Sequence, residues 1–186
     1  MIAFQPHGPF EVPILSGGLD KSREGAFWRK VEESEPGLPA AVGCYIFAIR
    51  AGRGVRPWYV GKTETAFKKE VFQDHKFRLY WEALRERRKG TALLYFIAKH
   101  TPQGRLAKSS KNGHSSVGTL EELLIGTCLL RNAKLVNKKA TKHFREIQVP
   151  GYMNESAGAR SRKAKSLAQL LGVAKNVRST ETALEE

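Results

Sequence analysis

The stretch Val42–Ile49 reads VGCYIFAI, and shortly after it Trp58-Tyr59-Val60-Gly61 reads WYVG. The first run is dense in β-branched and aromatic residues, the pattern of a buried strand, and the second resumes that pattern. Arg50–Pro57 lies between them and carries Gly52 and Gly54, a turn or short loop. Two apolar runs joined by a Gly-bearing connection predict an antiparallel hairpin. Everything else in the chain is read outward from it.

Downstream, Gly61 ends the second strand, and Thr63 or Thr65 can cap a helix starting near Ala66. Phe67, Val71 and Phe72 share one face of that helix. A second helix over Lys76–Lys89 turns Phe77, Tyr80, Trp81 and Leu84 inward, with Arg78, Arg85, Arg87 and Arg88 outside. Gly90 stops it. Thr91–Ala98 (TALLYFIA) predicts another buried strand, and Lys99–Gly118 a long polar loop. Thr119 can cap a central helix over Leu120–Arg131, with Glu121 and Glu122 in its first turn where the helix dipole favours carboxylates. Asn132–Lys142 reads as a basic loop, Phe144–Val149 as a last strand and Ser161–Leu171 as a basic helix. Upstream, a short strand is expected at Phe10–Leu15 and a helix at Ala26–Glu33, ended by Pro36-Gly37. The order predicts an α+β fold, a small sandwich with a mostly antiparallel sheet flanked by helices.

Composition bounds the function. The 186 residues include 32 Lys+Arg against 18 Asp+Glu, a net charge of +14, with 41% hydrophobic and 9% aromatic residues. That is a globular composition, and a chain of this length buries roughly 70% of its unfolded surface without staples. No apolar run approaches the ~18 residues of a membrane span, and MIAFQPHGPF has no basic region followed by an apolar stretch. Cys44 and Cys128 sit in apolar runs, so no disulfide framework is expected and a reducing cytoplasm fits. Between Leu123 and Thr180 twelve Lys/Arg face only Glu146 and Glu155. A field of that sign attracts polyanions, nucleic acid above all, and the basic stretches lack the apolar face that a membrane surface requires.

With the hairpin in place, Gly43-Cys44-Tyr45 on its first strand and Tyr59-Val60-Gly61 on its second resemble the paired signature of the GIY-YIG nuclease superfamily, and Phe67–Leu84 (FKKEVFQDHKFRLYWEAL) resembles an uncharacterised bacterial branch of it with a lysine-bearing first helix. Lys62 directly after the second motif matches as well. The resemblance covers roughly Val42–Asn137. It implies a central three-stranded antiparallel sheet, a metal-binding glutamate on the central helix and an asparagine after it. Glu122, rather than Glu121, keeps the spacing of the family's homing endonucleases, and Asn137 follows in the loop. The chain departs from the family where an arginine is usual three residues after the anchoring hydrophobe. With Phe67 as anchor that position is Glu70, and Lys68 or Lys69 substitutes or a cation arrives from elsewhere, Lys76 and Arg78 being nearest.

The expected organisation is therefore an N-terminal extension (1–40), a nuclease-like domain (41–140) and a basic C-terminal extension (141–186). The expected activity is divalent-metal-dependent hydrolysis of DNA phosphodiester bonds, leaving a 5′ phosphate and a 3′ hydroxyl. Glu122 would hold one Mg²⁺ or Mn²⁺, hard cations suited to oxygen ligands. Either tyrosine can be the base. Tyr45 is the preferred one, with Tyr59 orienting the water, Lys62 and Lys69 contacting phosphate, and Asn137 and His75 as further groups of the site. Arg78, Lys108, Lys111, Lys138, Lys139, Lys142, Arg162 and Lys163 would contact the DNA backbone, which positions a substrate without reading its sequence. The rival reading is a nucleic-acid-binding module on the same fold that has lost turnover, with Glu70 as its main support.

Overall fold

The computed structural model describes residues 2–15, 18–19, 21–87, 90–137, 141–154 and 158–172. The chain forms two compact units, Met1–Ala140 and Thr141–Glu186.

The first unit is built on the hairpin. Strand β4 (Gly43–Ala51) pairs antiparallel with β5 (Gly54–Thr63), so the connection shrinks to the two residues Gly52 and Arg53. The ladder continues into what reads as loop in the sequence because Val55 and Arg56 pair with Arg50 and Ile49 across the turn. On its other side β4 pairs with β6 (Thr91–His100). The expected three strands are thus present, but the sheet has a fourth. β1 (Ala3–Glu11) pairs antiparallel with β6 and gives the order β1-β6-β4-β5. Pro6, Gly8 and Pro9 interrupt its apolar pattern, so only the short piece near Phe10 looks strand-like in the sequence. Prolines are tolerated on an edge strand because half of its backbone needs no sheet partner. The described residues of the segment 1–40 belong to the first unit. They supply this edge strand, a small hairpin β2 (Ile14–Leu15) and β3 (Gly18–Leu19), and helix α1 (Glu24–Ser34), whose Phe27, Trp28 and Val31 are buried.

One face of the sheet carries Tyr45, Phe47, Tyr59, Leu94 and Phe96, cross-strand neighbours by register. Against it pack α1, the single turn α2 (Phe67–Glu70) and α3 (Asp74–Arg87), with Phe67 4.8 Å from Phe96 between ring centres and Tyr80 stacked 4.2 Å from Phe47. Full burial of aromatic side chains of this size contributes about 2–3 kcal/mol each, so this face dominates the stability of the unit. Helix α4 (Ser115–Arg131) lies on the opposite face, where the Cys44 thiol reaches the Val117 carbonyl at 3.4 Å. It starts four residues before the expected cap at Thr119, because the Glu64 carboxylate accepts the His114 N–H at 2.9 Å and anchors the helix start.

The second unit contains α5 (Thr141–Glu146), a turn bridged between Val149 and Met153, and α6 (Arg162–Leu170). The strand expected over Phe144–Val149 is absent. The segment FREIQV finds only the single bridge at Val149, and with no partner strand among the described residues the local helical bonds of α5 form in its place. No helix of the described residues is long and apolar enough to cross a membrane.

Candidate functional site

Successive strand residues point to opposite faces, so the two halves of the motif separate. Tyr45 and Tyr59 face α2 and α3, whereas Cys44 and Lys62, a cross-strand pair, face α4.

On the tyrosine face Tyr45 lies directly over Gly61, its partner on β5. Any β-carbon at Gly61 would overlap the Tyr45 ring, so the glycine is required by this close approach. Tyr45 is fully buried, and its hydroxyl has no hydrogen-bond partner among the described residues. Burial first, then the neighbouring Tyr80, Tyr59 and Glu70, push its pKa well above the ordinary phenol value. A phenol in that setting keeps its proton at neutral pH. Tyr59 is the tyrosine that meets a charged group. Lys76 of α3 donates to its hydroxyl oxygen at 2.5 Å, stands 5.0 Å from its ring centre, and lies 3.5 Å from the Glu70 carboxylate. A cation thus reaches the tyrosines, but from α3. Lys68 and Lys69 are exposed, as are His75 and Arg78, and none of the four joins this cluster.

On the other face, the Lys62 ammonium lies 3.5 Å from Glu64 and 4.0 Å from Glu121. The central-helix glutamate turned toward the motif is therefore Glu121. Glu122, one residue and about 100° further round the helix, is exposed. The sequence offers two adjacent glutamates, and only the helix phase separates them. The buried Cys44 thiol beside this cluster is pushed up to about 12, by burial first and then by Glu121, which fits an inert core residue.

Glu64 sits below the ordinary glutamate value of 4.5, first because it accepts the His114 N–H and then, against a small burial effect, because Lys62 is close. The sign follows from linkage. A carboxyl with a depressed folded pKa contributes stability that is present above its unfolded value and lost as pH falls through its folded one. Between pH 5 and 3, melting temperature is expected to fall less steeply for Glu64→Gln than for the wild type. Parallel curves would refute a role for this carboxylate in anchoring α4.

Asn137 is buried and acts on the backbone. Its side-chain carbonyl accepts the Val60 N–H at 2.9 Å, and its amide donates to the Val60 carbonyl at 2.7 Å. Asn132 donates to the Pro57 carbonyl and the Val136 N–H to that of Trp58. Residues 132–137 thereby cover the outer edge of β5 and hold Tyr59-Val60-Gly61 in place. Of the expected phosphate contacts, Lys108, Lys111, Arg162 and Lys163 are exposed. Lys138 and Lys139 lie outside the described residues, as does the side chain of Lys142.

Two carboxylate groups turned toward one ammonium, with Glu64 and Glu121 side chains 36% and 24% exposed, fit a hard cation. Mg²⁺ is commonly held by one or two carboxylates and keeps several waters. No cluster of three or more His, Cys, Asp or Glu suited to a metal occurs among the described residues. The fold and site together define a mixed α/β protein with an antiparallel four-stranded sheet and two polar clusters on opposite faces of its hairpin. Comparison with protein-family models, with curated proteins and with solved structures returned no match.

Proposed function

We propose that this protein is a divalent-metal-dependent endonuclease that hydrolyses DNA phosphodiester bonds, with a GIY-YIG-like hairpin as its reactive element. The observation that carries the reading is the arrangement along β5. Tyr59 holds a hydroxyl against the Lys76 ammonium, and three residues later Lys62 meets the carboxylates of Glu64 and Glu121. Cations, a phenol and oxygen ligands for a metal are what phosphodiester hydrolysis requires, and here separate elements bring them to one short stretch, the phenol on one face of the sheet and the metal ligands with Lys62 on the other.

In the reaction a water oxygen bonds to phosphorus while the bond to the 3′ oxygen breaks, and one proton passes from the water and one to the leaving oxygen. On the opposite face Lys76 donates to the Tyr59 oxygen and fixes the strand that carries Lys62. Lys62, beside Glu64 and Glu121, neutralises charge on the phosphate as it builds. Glu64 and Glu121 would hold the metal, whose chemistry when bound is Lewis-acid stabilisation of the phosphate and the departing oxygen. Tyr45 contributes by packing, keeping the Tyr59 ring at 6.1 Å between centres.

The sealed Tyr45 hydroxyl and the acid at Glu70 favour the second reading, a binding module without turnover. The two separate in a cleavage assay on plasmid DNA with Mg²⁺, Mn²⁺ or EDTA. Under the nuclease reading the wild type cuts only with metal, Glu121→Ala loses about 100-fold or more, and Glu122→Ala stays within a few-fold. Salt-sensitive binding without cutting would favour the module. Loss in Glu122→Ala alone would move the metal ligand back to the exposed position.

A further inference from the structure

The second unit, Thr141–Glu186, carries a surface that the reaction above does not use. Helix α6 buries Ala164 and Ala168 on one side and exposes Arg162, Lys163 and Lys165 on the other. No acid occupies its first turn, so three cations stand at the positive end of the helix dipole, where they oppose helix stability. Such a placement is understood if the positions serve an anionic partner.

On a braced turn that packs against the first turn of α6 an aromatic side chain is displayed. Gly151, at φ 90°, has its backbone against the Ala164 carbonyl, and any β-carbon there would overlap that oxygen. The turn therefore rests on the first turn of α6. From the other side the Asn154 amide donates to the carbonyls of Phe144 and Ile147 at 2.6 and 2.7 Å, and the Tyr152 N–H bonds the Val149 carbonyl at 2.9 Å. Held between them, Tyr152 is 37% exposed. A fixed, exposed aromatic on one element and three exposed cations on the helix it packs against match what a single nucleic-acid strand offers, a base face to stack and phosphates to pair. Duplex DNA keeps its base faces stacked inside and offers only the phosphates.

We infer that the Tyr152–α6 surface docks single-stranded nucleic acid, with Tyr152 stacking a base and Arg162, Lys163 and Lys165 contacting the flanking phosphates. This rests on the nucleic-acid reading above but not on its chemistry, so it is tested in EDTA, where cleavage cannot contribute. The full chain is titrated by fluorescence anisotropy with a labelled single strand and with the matching duplex between 50 and 200 mM KCl. Tyr152→Ala is expected to weaken single-strand binding by about tenfold or more, to leave duplex binding within twofold, and to be rescued by Tyr152→Phe. The triple replacement Arg162→Gln, Lys163→Gln, Lys165→Gln is expected to weaken both and to lower the single-strand salt slope by about 2. Equal effects of Tyr152→Ala on both substrates, or none on either, would overturn the inference. So would an unchanged salt slope in the triple variant, or binding to phosphatidylglycerol vesicles in place of the strand. Metal-dependent cleavage is read separately on the same preparations, so failure of the catalytic reading is distinguishable from failure of this one.

Discussion

Lys76→Met is expected to lower metal-dependent DNA cleavage by about 10²-fold, the cost of a misplaced reacting strand, since Lys76 fixes β5 through Tyr59 from the face opposite Lys62, Glu64 and Glu121. Methionine keeps an unbranched stem of similar length, so the packing of α3 against Tyr59 survives. What disappears is the ammonium that donates to the Tyr59 oxygen and faces Glu70. Glu70 is partly exposed and tolerates that loss through solvent, so the melting temperature is expected to change by only about 1–3 °C. Lys76→Arg keeps a donor and a charge and should recover much of the activity, which a purely structural role for the side chain would not explain. Activity within threefold of wild type in Lys76→Met would remove this cation from the mechanism.

The second large effect is on stability. Asn137→Ala removes both partners of Val60, leaving a buried N–H and a buried carbonyl unpaired beside the motif. Each orphaned group costs about 1–3 kcal/mol, so a loss of about 3 kcal/mol is expected in denaturant unfolding. Because Asn137 binds backbone, the folded fraction of this variant at low temperature should cut DNA at a rate within about tenfold of the wild type, when Tyr59 remains in position. A variant of unchanged stability and abolished activity would instead place Asn137 among the reacting groups.

The hairpin, the two helices after it and the third strand are legible in the sequence because each is a dense apolar run with a clear stop. β1 is not, since two prolines and a glycine break its pattern, and its place in the sheet depends on β6, some ninety residues later. The strand expected at Phe144–Val149 is absent for the complementary reason, a short segment with three apolar residues and no partner strand among the described residues. In the site, the tyrosines and Lys62 are legible as a motif, but their division between two faces follows from strand alternation and places Lys62 with α4. Glu121 and Glu122 differ only by helix phase, and the helix start that sets this phase depends on Glu64, fifty residues away from His114. Lys76 shows as one of the cations nearest the vacant arginine position. Only the packing of α3 against β5 distinguishes it from Lys68, Lys69 and Arg78.

The most direct measurement of the central claim is an end analysis of DNA incubated with the wild-type protein. A 5′-labelled strand and a covalently closed plasmid are treated with Mn²⁺ or with EDTA, and the nicks are then tested for resealing by ligase without prior phosphorylation. The account predicts fragments with Mn²⁺ only, bearing the 5′ phosphate and 3′ hydroxyl that a ligase joins. Intact DNA in Mn²⁺, with the protein bound to it in a salt-sensitive complex, would contradict the nuclease.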